Sequence, residues 1–176
     1  MSSIAPAVAT SHALPAHLSV RDARAAYLAE NGFTLEAYDE PTTRAYVLGI
    51  PFAVPNTAHH RRALMLHDLH HVATGFGTNL TGEGEISAWE LRGGLRSLGW
   101  VGALVVIGAL VGLLVAPRRT LRAWRLGGRA RNLFGPDAAA EEHLSLTLGE
   151  LRQRLGLPPE GLAHVPRGLH ERAPRG

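Results

Sequence analysis

The stretch His67-Asp68-Leu69-His70-His71-Val72-Ala73-Thr74-Gly75-Phe76-Gly77-Thr78-Asn79-Leu80-Thr81-Gly82-Glu83 decides how this chain folds and what it can hold. It reads as the end of one helix, a glycine break and the start of another. Asn56 or Thr57 caps a helix over 57–74, which Gly75-Phe76-Gly77 terminates. A second helix begins near Thr81 and runs to Gly93-Gly94. At about 100° per residue, His67, His71 and Asp68 stand at roughly 0°, 40° and 100°, so three potential metal ligands share one helix face. The glycine break lets the chain turn back, and Glu83 in the first turn of the second helix then closes the site. Two imidazoles and two carboxylates without sulfur suit Zn²⁺ first, with Fe²⁺ or Mn²⁺ as alternatives.

Other residues nearby carry weaker signals. His60 falls on the same face but two turns away, which gives it at most an outer role, and His59 is weaker still. His70 points to packing or solvent, and Glu85 and Glu90 read as ordinary helix carboxylates. The plain alternative is a set of exposed histidines, Asp68 paired with an arginine, and Glu83 placed by the helix dipole.

Working outward, a helix is expected from Ser19, with Asp22 in its first turn, to Asn31-Gly32. Pro41, Pro51 and Pro55 mark residues 33–56 as loops and short turns. Residues 118–131 read as an arginine-rich helix, Gly135-Pro136 as a break, and about 137–156 as the last helix. No repeat and no alternating strand pattern is visible, so the expected class is all-α. The expected organisation is a flexible leader over 1–18 with no secretory signal, a helical domain over 19–158, and a flexible tail over 159–176.

The composition fits one such domain. The chain has 176 residues, is 45% apolar and 19% charged, and is long enough to bury a core. Cysteine is absent, which excludes disulfide scaffolds, zinc-thiolate fingers, iron–sulfur sites and cysteine nucleophiles. All 18 basic residues are arginine and the formal charge is only +3, so nucleic acid is not an expected partner.

Leu98–Ala116 is a run of uncharged residues closed by Pro117 and followed by Arg118, Arg119, Arg122, Arg125, Arg129 and Arg131. As one long apolar helix it would be buried, face lipid or span a bilayer, with the arginine end cytoplasmic. Gly99, Gly102, Gly108 and Gly112 make one side small, suited to close packing or to an isoprenoid chain. Arg118, Arg122, Arg125 and Arg129 form a stripe with Leu121 and Trp124 beside it. That pattern suits a helix lying on anionic lipid, with a solvated basic face as the alternative.

His67-Asp68-Leu69-His70-His71 followed after eleven residues by Glu83, with Gly82 before it, resembles the signature of the Coq-four family of ubiquinone (coenzyme Q) biosynthesis. Gly77-Thr78-Asn79-Leu80, Trp89-Glu90 and the stretch Glu150-Leu151-Arg152 through Leu155-Gly156 resemble the family as well. The likeness covers 64–92 well and 20–158 loosely. Arg61-Arg62-Ala63-Leu64-Met65-Leu66 replaces the aromatic-rich stretch the family carries before its motif. The resemblance implies an all-helical fold and a divalent metal on His67, Asp68, His71 and Glu83. It also implies a prenylated quinone precursor or other isoprenoid lipid as ligand, and metal-dependent oxidative decarboxylation at ring C1. Attachment to the cytoplasmic face of a membrane, a homodimer and contact with other quinone-biosynthesis proteins complete the expectation. The rival expectations are a non-catalytic prenyl-lipid scaffold with a structural metal, and an HD-type phosphohydrolase using His67-Asp68 with His60 and Asp137. A histidine-box desaturase or hydroxylase would use His67, His70 and His71.

Overall fold

The structure, a computed structural model, describes residues 13–47, 50–136 and 138–163. Asp137, most of the expected leader and residues 164–176 of the expected tail lie outside the described residues. The chain is mostly helical, as its class predicts. Helices α1 (Val20–Asn31), α2 (Ala58–Thr74), α3 (Leu80–Gly93), α4 (Gly102–Val115), α5 (Pro117–Gly127) and α6 (Leu148–Leu155) surround one core. Short 3₁₀ turns cover Glu36–Asp39, Gly99–Val101 and Ala140–His143.

The first three helices begin and end where their punctuation puts them. Ser19 caps α1 by accepting the Asp22 amide, and Gly32 closes it in the left-handed conformation at φ 69°. Thr57 caps α2 by accepting the His60 amide, and Gly75 at φ 79° ends it. Asn79 caps α3 by accepting the Gly82 amide at 2.9 Å.

Four expectations need correction. First, residues 42–55 are not loops alone. Strands β1 (Thr42–Val47) and β2 (Ile50–Pro55) form an antiparallel ribbon in which Thr42 faces Pro55 and Tyr46 faces Pro51. A two-stranded ribbon leaves one edge of each strand unpaired, so prolines are tolerated there. Second, Leu98–Ala116 is not one long helix. A 3₁₀ turn occupies Gly99–Val101 and only the fourteen residues of α4 are α-helical. Among the described residues, no helix is long and apolar enough to cross a membrane. Third, α5 stops at Gly127, so Arg129 and Arg131 lie beyond the helix and the stripe on it is Arg118, Arg122 and Arg125. Fourth, the last helix is shorter than 137–156. Thr147 and Glu150 form a capping box that starts α6 at Leu148.

Small residues set how closely the helices approach. A Cβ on Gly84 would lie 2.4 Å from the Gly112 Cα, and one on Gly108 would lie 2.3 Å from the Ser87 hydroxyl. The glycine side of α4 is therefore filled by α3, and close packing is the use made of it. On the other side α4 exposes Val106, Ile107, Leu110, Leu113 and Leu114. The Arg119 guanidinium grips the buried Glu85 carboxylate with contacts of 2.9 and 2.5 Å, tying α5 to α3. Arg92 stands over the Trp124 ring at 5.8 Å.

The segments flanking the helical body also pack. Leu18 accepts the Leu148 amide, and Leu162 is buried with its amide on the Thr74 carbonyl at the end of α2. The fully buried Arg152 donates to the carbonyls of Ala73, Leu14 and Pro159, joining both ends of the described chain to α2.

Candidate metal centre

The α2–turn–α3 unit brings three of the expected ligands together. His67, His71 and Glu83 each offer one ligand atom, and these atoms all lie within 4.8 Å of one another. His67 Nε2 and His71 Nε2 are 3.1 Å apart, and each is 3.5 Å from a Glu83 carboxylate oxygen.

The partners of the other ring nitrogens fix what those three atoms are. His71 Nδ1 is 2.9 Å from the Phe76 carbonyl, which can only accept, so Nδ1 carries the proton. His67 Nδ1 donates in the same way to Glu90 Oε1 at 2.8 Å. In the neutral rings both Nε2 atoms therefore carry bare lone pairs. Two lone pairs and a carboxylate facing one another repel unless a proton on the His67 Nε2 or a metal cation lies among them. Donation of the second ring N–H to a carbonyl or carboxylate is also how metal-binding histidines are held. The donor set fits a divalent ion.

Local sequence explains why the atoms meet. His67 and His71 are four apart on α2, one turn along the same face. The Gly75-Phe76-Gly77 turn does two jobs: it ends α2 and returns the carbonyl that orients His71. Gly82 is required by contact, because a Cβ there would sit 2.0 Å from the Gly77 carbonyl oxygen. Without a side chain at 82, the first turn of α3 rests on the glycine turn and Glu83 reaches both imidazoles. Thr78 donates to Asn31, and Asn31 to the Tyr27 carbonyl, which anchors this corner to the end of α1.

Asp68, expected as a fourth ligand, is not in the converging group. Its Oδ1 accepts from the Tyr27 hydroxyl at 3.3 Å and its Oδ2 from the Tyr38 hydroxyl. A residue directly after His67 stands about 100° round the helix, which turns Asp68 toward α1 and the Glu36–Asp39 turn. The Tyr27 ring stacks on His71 at 5.6 Å, so Asp68 and its tyrosines form the wall beside the three ligands.

Glu90 belongs to the centre, although its sequence context reads as ordinary. It is fully buried, one heptad after Glu83 on the same face of α3, and its Oε1 accepts from both His67 and His70. His70 Nε2 accepts the Leu133 amide at 2.8 Å, so His70 is the neutral Nδ1–H form. It packs against Trp89 and Phe134. The seven-residue spacing from Glu83 was the available signal. The other histidines lie elsewhere: His60 meets Asn56 and stacks on Trp100, and His59 bonds the Leu98 carbonyl.

Electrostatics follow from this geometry. Burial alone would lower the His67 pKa, but the Glu90 and Glu83 carboxylates raise it well above its ordinary value of 6.5. Burial would raise the Glu83 carboxyl, but His71 and His67 hold it down to about 2. Against the same burial, His67 and His70 hold Glu90 at about 2. Burial lowers His70 and raises Asp68. Burial and the Asp68 charge raise both Tyr27 and Tyr38. The Glu83 side chain remains 39% exposed, so one side of the centre is open.

No protein-family model, curated protein or solved structure matches the chain.

Proposed function

We propose that the chain binds one divalent metal, with Zn²⁺ the best fit and Fe²⁺ or Mn²⁺ as alternatives. We propose that it acts on a prenylated aromatic quinone precursor, as the Coq-four resemblance implies, with dioxygen as the oxidant: the ring carboxyl leaves as CO2 and one oxygen atom from O2 takes its place at C1 as a hydroxyl, half an O2 being consumed per ring. The observation that carries this reading is the meeting of His67, His71 and Glu83 at the motif's spacing, with one side left open. A bound ion would supply Lewis acidity toward an oxygen of the aromatic head group. The chain's own residues hold that position: Phe76 and Glu90 fix the two imidazoles, and Asp68 with Tyr27 and Tyr38 walls one side.

The exposed apolar face of α4, with Leu121, Trp124 and the α5 arginines following it, supports peripheral attachment to a membrane at the cytoplasmic face. A prenyl chain would lie along that outer surface rather than on the glycines, which α3 covers.

The second reading is a lipid-binding scaffold with a structural metal, which that same apolar face favours. The open side speaks for catalysis, since structural sites close with four protein ligands. In a cell that makes ubiquinone but lacks this activity, the wild-type chain should restore quinone and deplete the ring-carboxylated precursor. Glu83→Gln should abolish rescue while the protein stays folded. Full rescue by Glu83→Gln would favour the scaffold, and absence of rescue by wild type would move the substrate elsewhere.

A further inference from the structure

Leu80 stands on the border between two faces of α3. Its neighbour at i+3 is Glu83, whose carboxylate meets His67 and His71. Its neighbour at i+4 is Gly84, on which a Cβ would lie 2.4 Å from the Gly112 Cα of α4. Residues three and four apart on a helix are adjacent, with about 5–6 Å between their Cβ atoms. From Gly84 to Glu90 every residue of α3 is buried, whereas Leu80 in its first turn is 41% exposed. Along α3, the half-open Glu83 therefore meets solvent on the Leu80 side.

The pairing of α3 with α4 shows what lies beyond Leu80. The two helices run antiparallel: Gly84 meets Gly112, and one turn later Ser87 meets Gly108. Continued one turn the other way, the same pairing sets Leu80 level with Val115 and Ala116. Val115 is 44% exposed, and Leu114 beside it is the most exposed large apolar residue among those described. Contact at both glycines keeps the helices together over this turn, so Leu80 joins the open side of the metal centre to the outer face of α4. A single exposed leucine is ordinary on a protein surface. One that connects a set of metal-binding atoms to a continuous apolar face has a use.

We propose that Leu80 is a specificity-determining residue of the metal site. It receives the hydrocarbon chain of a ligand whose oxygen donors are held at the metal, and it passes that chain onto Val115 and Leu114. This deepens the function proposed above and rests on its metal-binding reading. The ligand class is an oxygen-donor head group carrying an apolar chain. The donor set fixes the head group, and Leu80 reads what is attached to it by removing hydrocarbon from water.

The test is calorimetric titration of acetohydroxamate and hexanohydroxamate into metal-loaded protein. The two share the same oxygen donors and differ only in the length of the alkyl chain. Burial of about half of the added hydrocarbon predicts about tenfold tighter binding of the longer one by wild type. Leu80→Gln should remove most of that preference, with metal content and acetohydroxamate affinity unchanged, and Leu80→Met should keep it. Val115→Gln should reduce it in part. Trp100→Gln, at an exposed position in the turn before α4, should leave it intact. A wild type that binds both hydroxamates equally, or neither, would overturn the proposal. So would an unchanged preference in Leu80→Gln, or the same loss in Trp100→Gln. Equal weakening of both hydroxamates by Leu80→Gln would show that Leu80 only holds the donors in place, and would overturn it as well. A Leu80-dependent preference in a chain that fails to restore quinone would support the chain-binding role and refute the quinone substrate. Restored quinone without that preference would do the reverse.

Discussion

Glu90 Oε1 accepts the Nδ1–H of His67 at 2.8 Å from a fully buried position on the neighbouring helix. This bond turns the Nε2 of His67 toward His71 and Glu83 and, once its proton is displaced, makes it a stronger donor to a cation. Because the same oxygen accepts from His70, the tautomers of both rings are set by one carboxylate.

Glu90→Gln keeps the shape and removes the charge. It should weaken metal binding about 10- to 100-fold while the helical signal is retained. Competition with a chelator of known affinity measures the change, and wild-type affinity in the variant would show that Glu90 is only a packing group. His67→Ala and Glu83→Ala should lose most of the metal outright.

Gly82→Ala should damage the same centre without touching a ligand. Its Cβ would need the space of the Gly77 carbonyl oxygen, so α3 must move away from the turn. The expected result is a stability loss of about 1–3 kcal/mol together with weakened metal binding. Gly84→Ala, which meets Gly112 on the opposite side, should lower stability with a smaller effect on metal. Denaturant melts and metal analysis on both variants separate the two effects, and equal metal loss would refute this division.

The pH dependence has opposite signs with and without metal. In the metal-free protein the raised His67 pKa contributes stability that is complete below the ordinary 6.5 and is lost as pH rises through the folded value. Glu83 and Glu90, both lowered to about 2, contribute stability that is present above their ordinary 4.5 and lost as pH falls toward 2. The metal-free protein should therefore be most stable between these limits. Metal must displace the His67 proton, so affinity should rise about tenfold per pH unit while His67 titrates. Melting curves against pH, with and without metal, test both signs, and a metal affinity independent of pH from 6 to 8 would contradict the assignment.

The outer face of α4 should govern attachment to lipid. Leu114 is 77% exposed, and Leu114→Glu with Leu110→Glu should release the protein from anionic vesicles without altering metal content. Flotation with vesicles containing phosphatidylglycerol is the measurement. Salt should weaken binding only partly, since the α5 arginines add a screened contribution to an apolar one. Unchanged flotation of the double variant would place the membrane contact elsewhere.

Much of this architecture is legible in particular residues. Ser19, Gly32, Thr57, Gly75 and Asn79 mark helix ends through local hydrogen bonds that need no distant partner. His67 and His71 share a face by helical periodicity alone. The ribbon over 42–55 was hidden because its prolines sit on unpaired edges, which a sequence does not display. The Thr147–Glu150 capping box starts α6 at Leu148, a local signal lying inside the stretch 137–156 that reads as continuous.

Sequence by itself determined the helical class, the α2–turn–α3 unit and three candidate ligands, His67, His71 and Glu83, at a spacing that could hold a metal, because each depends on contacts within a turn or two. Only the tertiary structure decided which carboxylates serve the centre. Glu83 reaches the imidazoles because Gly82 lets α3 rest on Gly77, while Asp68 turns to Tyr27 and Tyr38. Glu90 enters because α3 packs beside α2. These outcomes depend on distances between elements far apart in the chain, which are fixed only when the core closes.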